Sequence, residues 1–158
     1  MIFRPIASDG TVAGLAEPLP EEGRAALAAT ASMYQSIPHA PPWISYLACE
    51  ESRAVGICAF VGPPHAGVVE IAYNTFPGNE GRGVATAMAK KLVEVAAAAD
   101  AAILVTAHTR PVAGPSTRVL EKLGFSHWES VDHPVDGPIW RWRLKPTHPG
   151  GRSARMES

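Results

Sequence analysis

One stretch constrains this chain more than any other. Residues 83–99 repeat Val84, Met88, Leu92, Val95, Ala96 and Ala99 at helical spacing, while Lys90, Glu94 and Ala97 fall on the opposite side. Such a helix has one face to bury. The run that follows, Ile103 to Ala107, is apolar throughout, which predicts a strand covered on both faces beside a parallel neighbour. The run that precedes it, Gly67 to Tyr73, alternates. Val69, Ile71 and Tyr73 share one face, and Val68, Glu70 and Ala72 share the other. Strand, crossover helix and strand form a βαβ unit, and the rest of the chain must be built around it.

Met1 to Ile6 reads as a first strand, and Glu21 to Met33 as an alanine-rich helix stopped before Pro38, Pro41 and Pro42. Trp43 to Cys49, Ala54 to Val61 and Gly67 to Tyr73 are joined by short turns, as in an antiparallel meander. A second amphipathic helix spans Ser116 to Leu123. Ser116 is placed to cap its start, and Gly124 to take the left-handed position that lays Phe125 over Leu120. Two last strands, Phe125 to Ser130 and Ile139 to Leu144, flank a turn-rich link from Asp132 to Pro138. The order β-α-βββ-α-β-α-ββ predicts an α/β fold: a mixed, mostly antiparallel sheet with a central βαβ crossover and helices on both faces. One domain is expected over residues 1–145. Residues 146–158 turn to Pro, Gly, Ser and Arg, and read as a disordered tail.

Composition narrows the function. The chain of 158 residues is 46% hydrophobic and 18% charged, enough to bury a core. A net charge of -1 gives no basic footprint for nucleic acid. No apolar run approaches the ~18 residues that span a bilayer, and the N-terminus has no secretory h-region. A cytoplasmic protein with neither membrane nor nucleic-acid partner is expected. Cys49 and Cys58 read as buried, reduced strand residues without the spacing of a zinc site, and no metal is indicated.

The chemistry gathers at Glu80-Gly81-Arg82-Gly83-Val84-Ala85, between a strand and a helix. Glycines let backbone amides approach an anion closely, and the amides of a helix start are unpaired and sit at the positive end of the dipole. Arg82 offers a further phosphate contact. A Walker loop is excluded because Gly-Lys-Ser/Thr is missing, and Thr86 stands where a dinucleotide fingerprint has its third glycine. By itself the segment fits a tight strand-to-helix turn equally well. Two side chains near the same strand ends can handle protons: Glu70, a carboxylate in an otherwise apolar run, and His108, at the end of the apolar strand. His65 and His133 read as turn residues. Tyr34, Trp43 and Trp140 read either as core or as walls of an acceptor pocket.

Glu80 to Ala85 resembles the coenzyme-binding motif Gln/Arg-x-x-Gly-x-Gly/Ala of the GNAT superfamily of N-acetyltransferases. Pro115-Ser-Thr-Arg-Val-Leu-Glu-Lys-Leu-Gly-Phe125 and Ile139-Trp-Arg-Trp-Arg-Leu144 resemble the second helix and last strand of the branch that includes ribosomal-protein N-terminal acetyltransferases. The resemblance covers roughly residues 43 to 145. It implies acetyl-CoA as co-substrate, in a cleft between strands that part near Tyr73 and Ile103. Backbone at Tyr73, Asn74 and Thr75 would bond the pantetheine and acetyl carbonyl. The amides of Gly81, Arg82, Gly83, Val84, Ala85 and Thr86 would hold the pyrophosphate, and Ser116 would lie near the thioester sulfur as an acid or sulfur contact.

The chain departs from the family pattern at three places. Glu80 fills the Gln/Arg position, Ala113 and Gly114 stand where an Asn is frequent, and Leu120 stands where many members carry a tyrosine acid. The expected function is direct acetyl transfer to a primary amine of a small molecule or protein, with Glu70 as base and His108 second. The alternatives are an inactive relative that binds acetyl-CoA as a sensor and an unrelated nucleotide-binding module. A homodimer is compatible with the sequence, and the acceptor is not legible in it.

Overall fold

The apolar face of residues 84–99 organises the sheet. The computed structural model describes residues 1–15 and 18–146. Its elements are β1 (Ile2–Pro5), α1 (Glu21–Met33), β2 (Ser45–Glu50), β3 (Arg53–Phe60), β4 (Val68–Thr75), α2 (Val84–Ala99), β5 (Leu104–Thr109), α3 (Pro115–Lys122), β6 (Ser126–His133) and β7 (Gly137–Leu144). The strands form one sheet in the order β1-β2-β3-β4-β5-β7-β6. The β4–β5 pair is parallel and every other pair antiparallel, as the βαβ unit and the meander require.

Two cores lie on opposite faces of the sheet. Val84, Met88, Leu92 and Ala96 of α2 pack with Phe60, Ile71, Val105 and Trp142, and Leu120 of α3 joins them. Burying a side chain of that size contributes ~1.5–3 kcal/mol before entropy is counted. Ala99, placed on this face by spacing, is exposed at the last residue of α2. On the other face Ile6, Leu47, Cys49 and Phe76 pack beneath Leu27 of α1. Gly56 lies where α2 presses on β3: a Cβ there would stand 2.9 Å from Met88 Sδ and 2.9 Å from the Asn74 carbonyl oxygen.

Trp43 packs edge-on against Phe60 at 5.1 Å, and the Tyr34 hydroxyl accepts the Ser45 amide at 2.9 Å, so both are structural. Trp140 packs against the main core. Both cysteines are free and buried.

Several boundaries move, and the moves matter for the site. β5 extends through Thr109, so His108 lies inside a strand and pairs in register with Arg141. β6 and β7 pair as far as His133↔Gly137, so the long link expected from Asp132 to Pro138 shrinks to a tight turn. His133 therefore ends a strand. Ser116 does not cap α3. Gly114 is the N-cap, Pro115 opens the helix, and the Thr117 hydroxyl both accepts the Gly114 amide and donates to the Gly114 carbonyl, at 2.9 Å each. At the other end Gly124 is left-handed with φ 94°, and the Phe125 amide closes onto Leu120 at 2.9 Å. The expected tail beyond Pro146 lies outside the described residues.

Candidate active site

The parallel strands β4 and β5 stay together for only three pairs, Val68↔Leu104, Val69↔Val105 and Glu70↔Thr106. Beyond Glu70 they part. β4 remains bonded to β3 as far as Thr75↔Gly56, and β5 to β7 as far as Thr109↔Trp140. The facing edges of Ile71 to Thr75 and of Ala107 to Thr109 are left without a strand between them. Backbone donors and acceptors along such an edge need partners, which a bound ligand can supply.

A cavity of about 520 Å3 adjoins this opening, bounded by Tyr73, Asn74 and Thr75 of β4, by the loop before α2, and by the first turns of α2 and α3. Gly83 is the N-cap of α2, with φ 80° and no side-chain cap, and no acidic residue occupies the first turn. The first intrahelical donor is the Ala87 amide, bonded to the Gly83 carbonyl at 3.0 Å. The amides of Val84, Ala85 and Thr86 precede it and are unclaimed by the helix. Gly81 and Gly83 both hold positive φ, and a Cβ on either would meet nothing within 4 Å. Their requirement is backbone conformation, and the space over them is open to a ligand.

The loop is clamped from behind. The Asn79 side chain, almost fully buried, accepts Arg53 Nη1 and Arg82 Nη2 at 2.9 Å each, and Arg82 Nη1 also reaches Glu50 Oε1 at 2.9 Å. Arg82 is thus turned away from the cavity it was expected to serve. The Glu80 carboxylate accepts the Gly78 amide at 2.8 Å, so this acid staples the turn before α2. Positive charge reaches the cavity from α3, where Arg118 and Lys122 line one wall and stand one helical turn apart. The sequence reading passed over both, although their i, i+4 spacing beside the Pro115–Ser116 helix start was a usable signal. Ser116 lines the same wall. Together the residues present fit an anionic, extended ligand.

At the point where the strands part, Glu70 and His108 meet. Their side chains share one face of the sheet, and His108 Nδ1 stands 2.6 Å from Glu70 Oε2. A carboxylate accepts, so Nδ1–H donates. His108 Nε2 lies 3.3 Å from Asp136 Oδ2 at the β6–β7 turn, and the His133 ring stacks on His108 with centroids 5.6 Å apart. Asp136 also comes within 3.5 Å of His133 Nδ1. That nitrogen already accepts the Val135 and Asp136 amides at 3.1 Å each, so it carries no proton and the contact is not an ion pair. A chamber of about 70 Å3 beside Glu70, walled by Thr106, His133, Ile139 and Arg141, has room for water. His133 and Asp136 escaped the sequence reading because only the short turn brings them across to β5.

Burial pushes the Cys58 thiol up to about 12 and the Tyr73 phenol likewise up to about 12. Neither ionises near neutrality, so Cys58 supplies no thiolate nucleophile. Among the described residues no group of His, Cys, Asp and Glu is arranged to hold a metal, and no helix is long and apolar enough to cross a membrane.

A mixed sheet that splits at the parallel β4–β5 pair, with two helix N-termini at one cavity, defines a class of α/β fold. The comparisons name it. The family described as "Acetyltransferase (GNAT) domain" matches residues 1–126, and the chain belongs to the GNAT acetyltransferase family. Acetyl-CoA is the co-substrate of that family. The match begins well before residue 43, where the motif resemblance began. Among solved structures, a GNAT-family protein from Desulfovibrio desulfuricans superposes with a TM-score of 0.60 at 17% identity, over 83% of this chain and 86% of that one. Ribosomal-protein-S5-alanine acetyltransferase from Vibrio fischeri gives 0.59 at 12% identity, over 65% of this chain. This chain spans 61% of that enzyme's length. A Salmonella typhimurium protein, yncA, in a structure with its cofactor acetyl-CoA, gives 0.56 at 16% identity, over 72% and 69%. No curated protein sequence matches the chain.

Proposed function

We propose that this protein is an acetyl-CoA-dependent N-acetyltransferase that moves the acetyl group directly to a primary amine, with Glu70 as the general base. The observation that carries the reading is the meeting of Glu70 and His108 at 2.6 Å, at the apex where β4 and β5 part. An anion-binding helix start and a proton-handling pair then face one opening from its two ends.

Acetyl-CoA supplies the thioester-activated acetyl group. The amides of Val84, Ala85 and Thr86, with those of Gly81 to Gly83, hold the pyrophosphate, with dipole help of ~0.3–1 kcal/mol beyond the hydrogen bonds themselves. Arg118 and Lys122 serve the remaining phosphate charge. The free edge of β4 at Tyr73, Asn74 and Thr75 aligns the pantetheine as an extra strand would be aligned, and Ser116 lies on the opposite wall. Glu70 takes the proton of the acceptor ammonium, directly or through water in the adjacent chamber, and the His108 N–H fixes the orientation of its carboxylate. Deprotonating a lysine-type amine with a reference pKa near 10.4 costs about 4.6 kcal/mol at pH 7, against about 1 kcal/mol for an α-amino group near 7.7. A general base contributes on the order of 10²–10⁴-fold. The leaving group is a thiolate, a far weaker base than an alkoxide, and needs no strong acid. The absence of a tyrosine at position 120 is therefore no obstacle.

Calorimetry with acetyl-CoA, and with CoA, ATP and NAD as comparators, tests the cleft. Micromolar binding of acetyl-CoA that Gly83→Asp weakens, followed by turnover of an amine panel that Glu70→Gln lowers about 10²–10⁴-fold, is the expected result. Preference for ATP or NAD would overturn the reading.

A further inference from the structure

A second opening meets the first at Tyr73 and Asn74, which line both. It is a groove of about 270 Å3 on the α1 side of the sheet. Its floor is Ile57 and Ala59 of β3 with Ala72 of β4, and its rim is Ala29 and Met33 of α1 with Val61. No charged side chain among the described residues lines it. The polar groups it does contain are mostly spoken for: the Thr30 hydroxyl donates to the Ala26 carbonyl at 2.9 Å, and the Ser45 amide donates to Tyr34 at 2.9 Å. Asn74 stands at the junction with the cleft. Strand alternation puts Glu70, Ala72 and Asn74 on this same face, so the groove floor continues to the carboxylate.

We propose that this groove holds the apolar body of the acceptor, and that the substrate is a small primary amine carried on an aryl or branched alkyl group. The inference rests on the acetyltransferase reading of the cleft. Its physical content is exclusion as much as attraction. A polyamine or aminoglycoside would bring additional ammonium groups into a space with no carboxylate to meet them, and an unpaired charge there is strongly disfavoured. An apolar body gains about fourfold in affinity for each methylene it buries. The single ammonium points out of the groove at Ala72 and Asn74, toward Glu70 and the cleft. The transfer then balances simply: the amine nitrogen forms the amide bond, the carbon–sulfur bond breaks, the amine proton passes to Glu70, and CoA leaves as the thiol or thiolate.

The test compares kcat/KM, with saturating acetyl-CoA, for 2-phenylethylamine and isoamylamine against spermidine, kanamycin and a peptide with N-terminal leucine. It is repeated on Ala29→Trp, an exposed helix position whose enlargement fills the groove from its rim without touching the cofactor cleft. The expected result is at least a tenfold preference for the apolar amines, lost in Ala29→Trp while acetyl-CoA affinity measured by calorimetry is retained. Preference for spermidine or kanamycin, or equal loss for all amines in the variant, overturns the groove assignment and leaves the acetyltransferase standing. Faster turnover of the peptide makes the occupant a polypeptide and overturns the small-molecule assignment. Turnover of no amine in the panel, despite acetyl-CoA binding, overturns the transferase reading and this inference with it.

Discussion

Glu70 Oε2 and His108 Nδ1 lie 2.6 Å apart although 38 residues separate them in the chain. The contact exists because β4 and β5 are parallel neighbours whose last pair is Glu70↔Thr106, with His108 two residues further along the same face. If Glu70 is the base and His108 orients it, the two substitutions differ in size. Glu70→Gln lowers kcat about 10²–10⁴-fold, the span of general-base catalysis. His108→Ala lowers it about tenfold, since a carboxylate remains. Steady-state kinetics with a lysine-type amine reads both. Equal losses, or no loss in Glu70→Gln, would move the base elsewhere.

The thiols give a separate prediction. Cys58 is held protonated by burial, its pKa raised from 9.0 to about 12, and burial raises the Cys49 thiol as well, so neither thiol is poised to carry the acyl group. Cys58→Ala retains transfer, and initial-rate patterns are sequential with no acetyl-enzyme by mass spectrometry. The same shift acts on stability. The folded state keeps a proton that the unfolded chain releases above pH 9, so this contribution is complete below pH 9 and is lost as pH rises through 12. Tyr73, raised from 10.0 to about 12, acts in the same direction. The melting temperature of the wild type therefore falls more steeply above pH 9 than that of Cys58→Ala.

The periodicity of residues 83–99 and the apolar run after them carried the fold, because both report burial that the backbone geometry then obeys. The strand-to-helix glycines were legible for a related reason, since left-handed φ leaves little choice of residue. What was illegible depended on tertiary direction. Arg82 looked like a phosphate ligand until Asn79 and Glu50 drew it behind the loop. Ser116 looked like a cap until Thr117 took that bond. His133 and Asp136 looked like turn residues until the hairpin folded them over His108. Each depends on which of several partners a side chain meets across the sheet, and a linear pattern carries no record of that.

Gly56 links packing to the site. A Cβ at this position would lie 2.9 Å from a backbone oxygen, that of Asn74, and 2.9 Å from Met88 Sδ. Met88 can turn aside, but the carbonyl belongs to the strand proposed to align pantetheine. Gly56→Ala should cost ~1–3 kcal/mol, the usual range for overpacking. That amounts to a drop of roughly 2–12 °C in melting temperature for a chain of this size. Calorimetry on the same sample should also find weaker acetyl-CoA binding. Loss of stability with unchanged affinity would separate β4 from the cofactor.

Arg118 and Lys122 give the prediction with the most defined magnitude. Both are exposed on one face of α3 at the cavity wall. Exposed ion pairs contribute ~0.2–1 kcal/mol each, so either alanine substitution should raise the dissociation constant for acetyl-CoA less than about sixfold. The double variant should raise it by up to about thirtyfold. Because these are screened surface charges, the difference between wild type and double variant should shrink as salt rises from 50 mM to 500 mM. Binding of a pantetheine thioester that lacks the nucleotide should not respond to either substitution. A nucleotide-free thioester that loses affinity in the double variant would mean that α3 had been distorted, and would remove the two cations from the phosphate site.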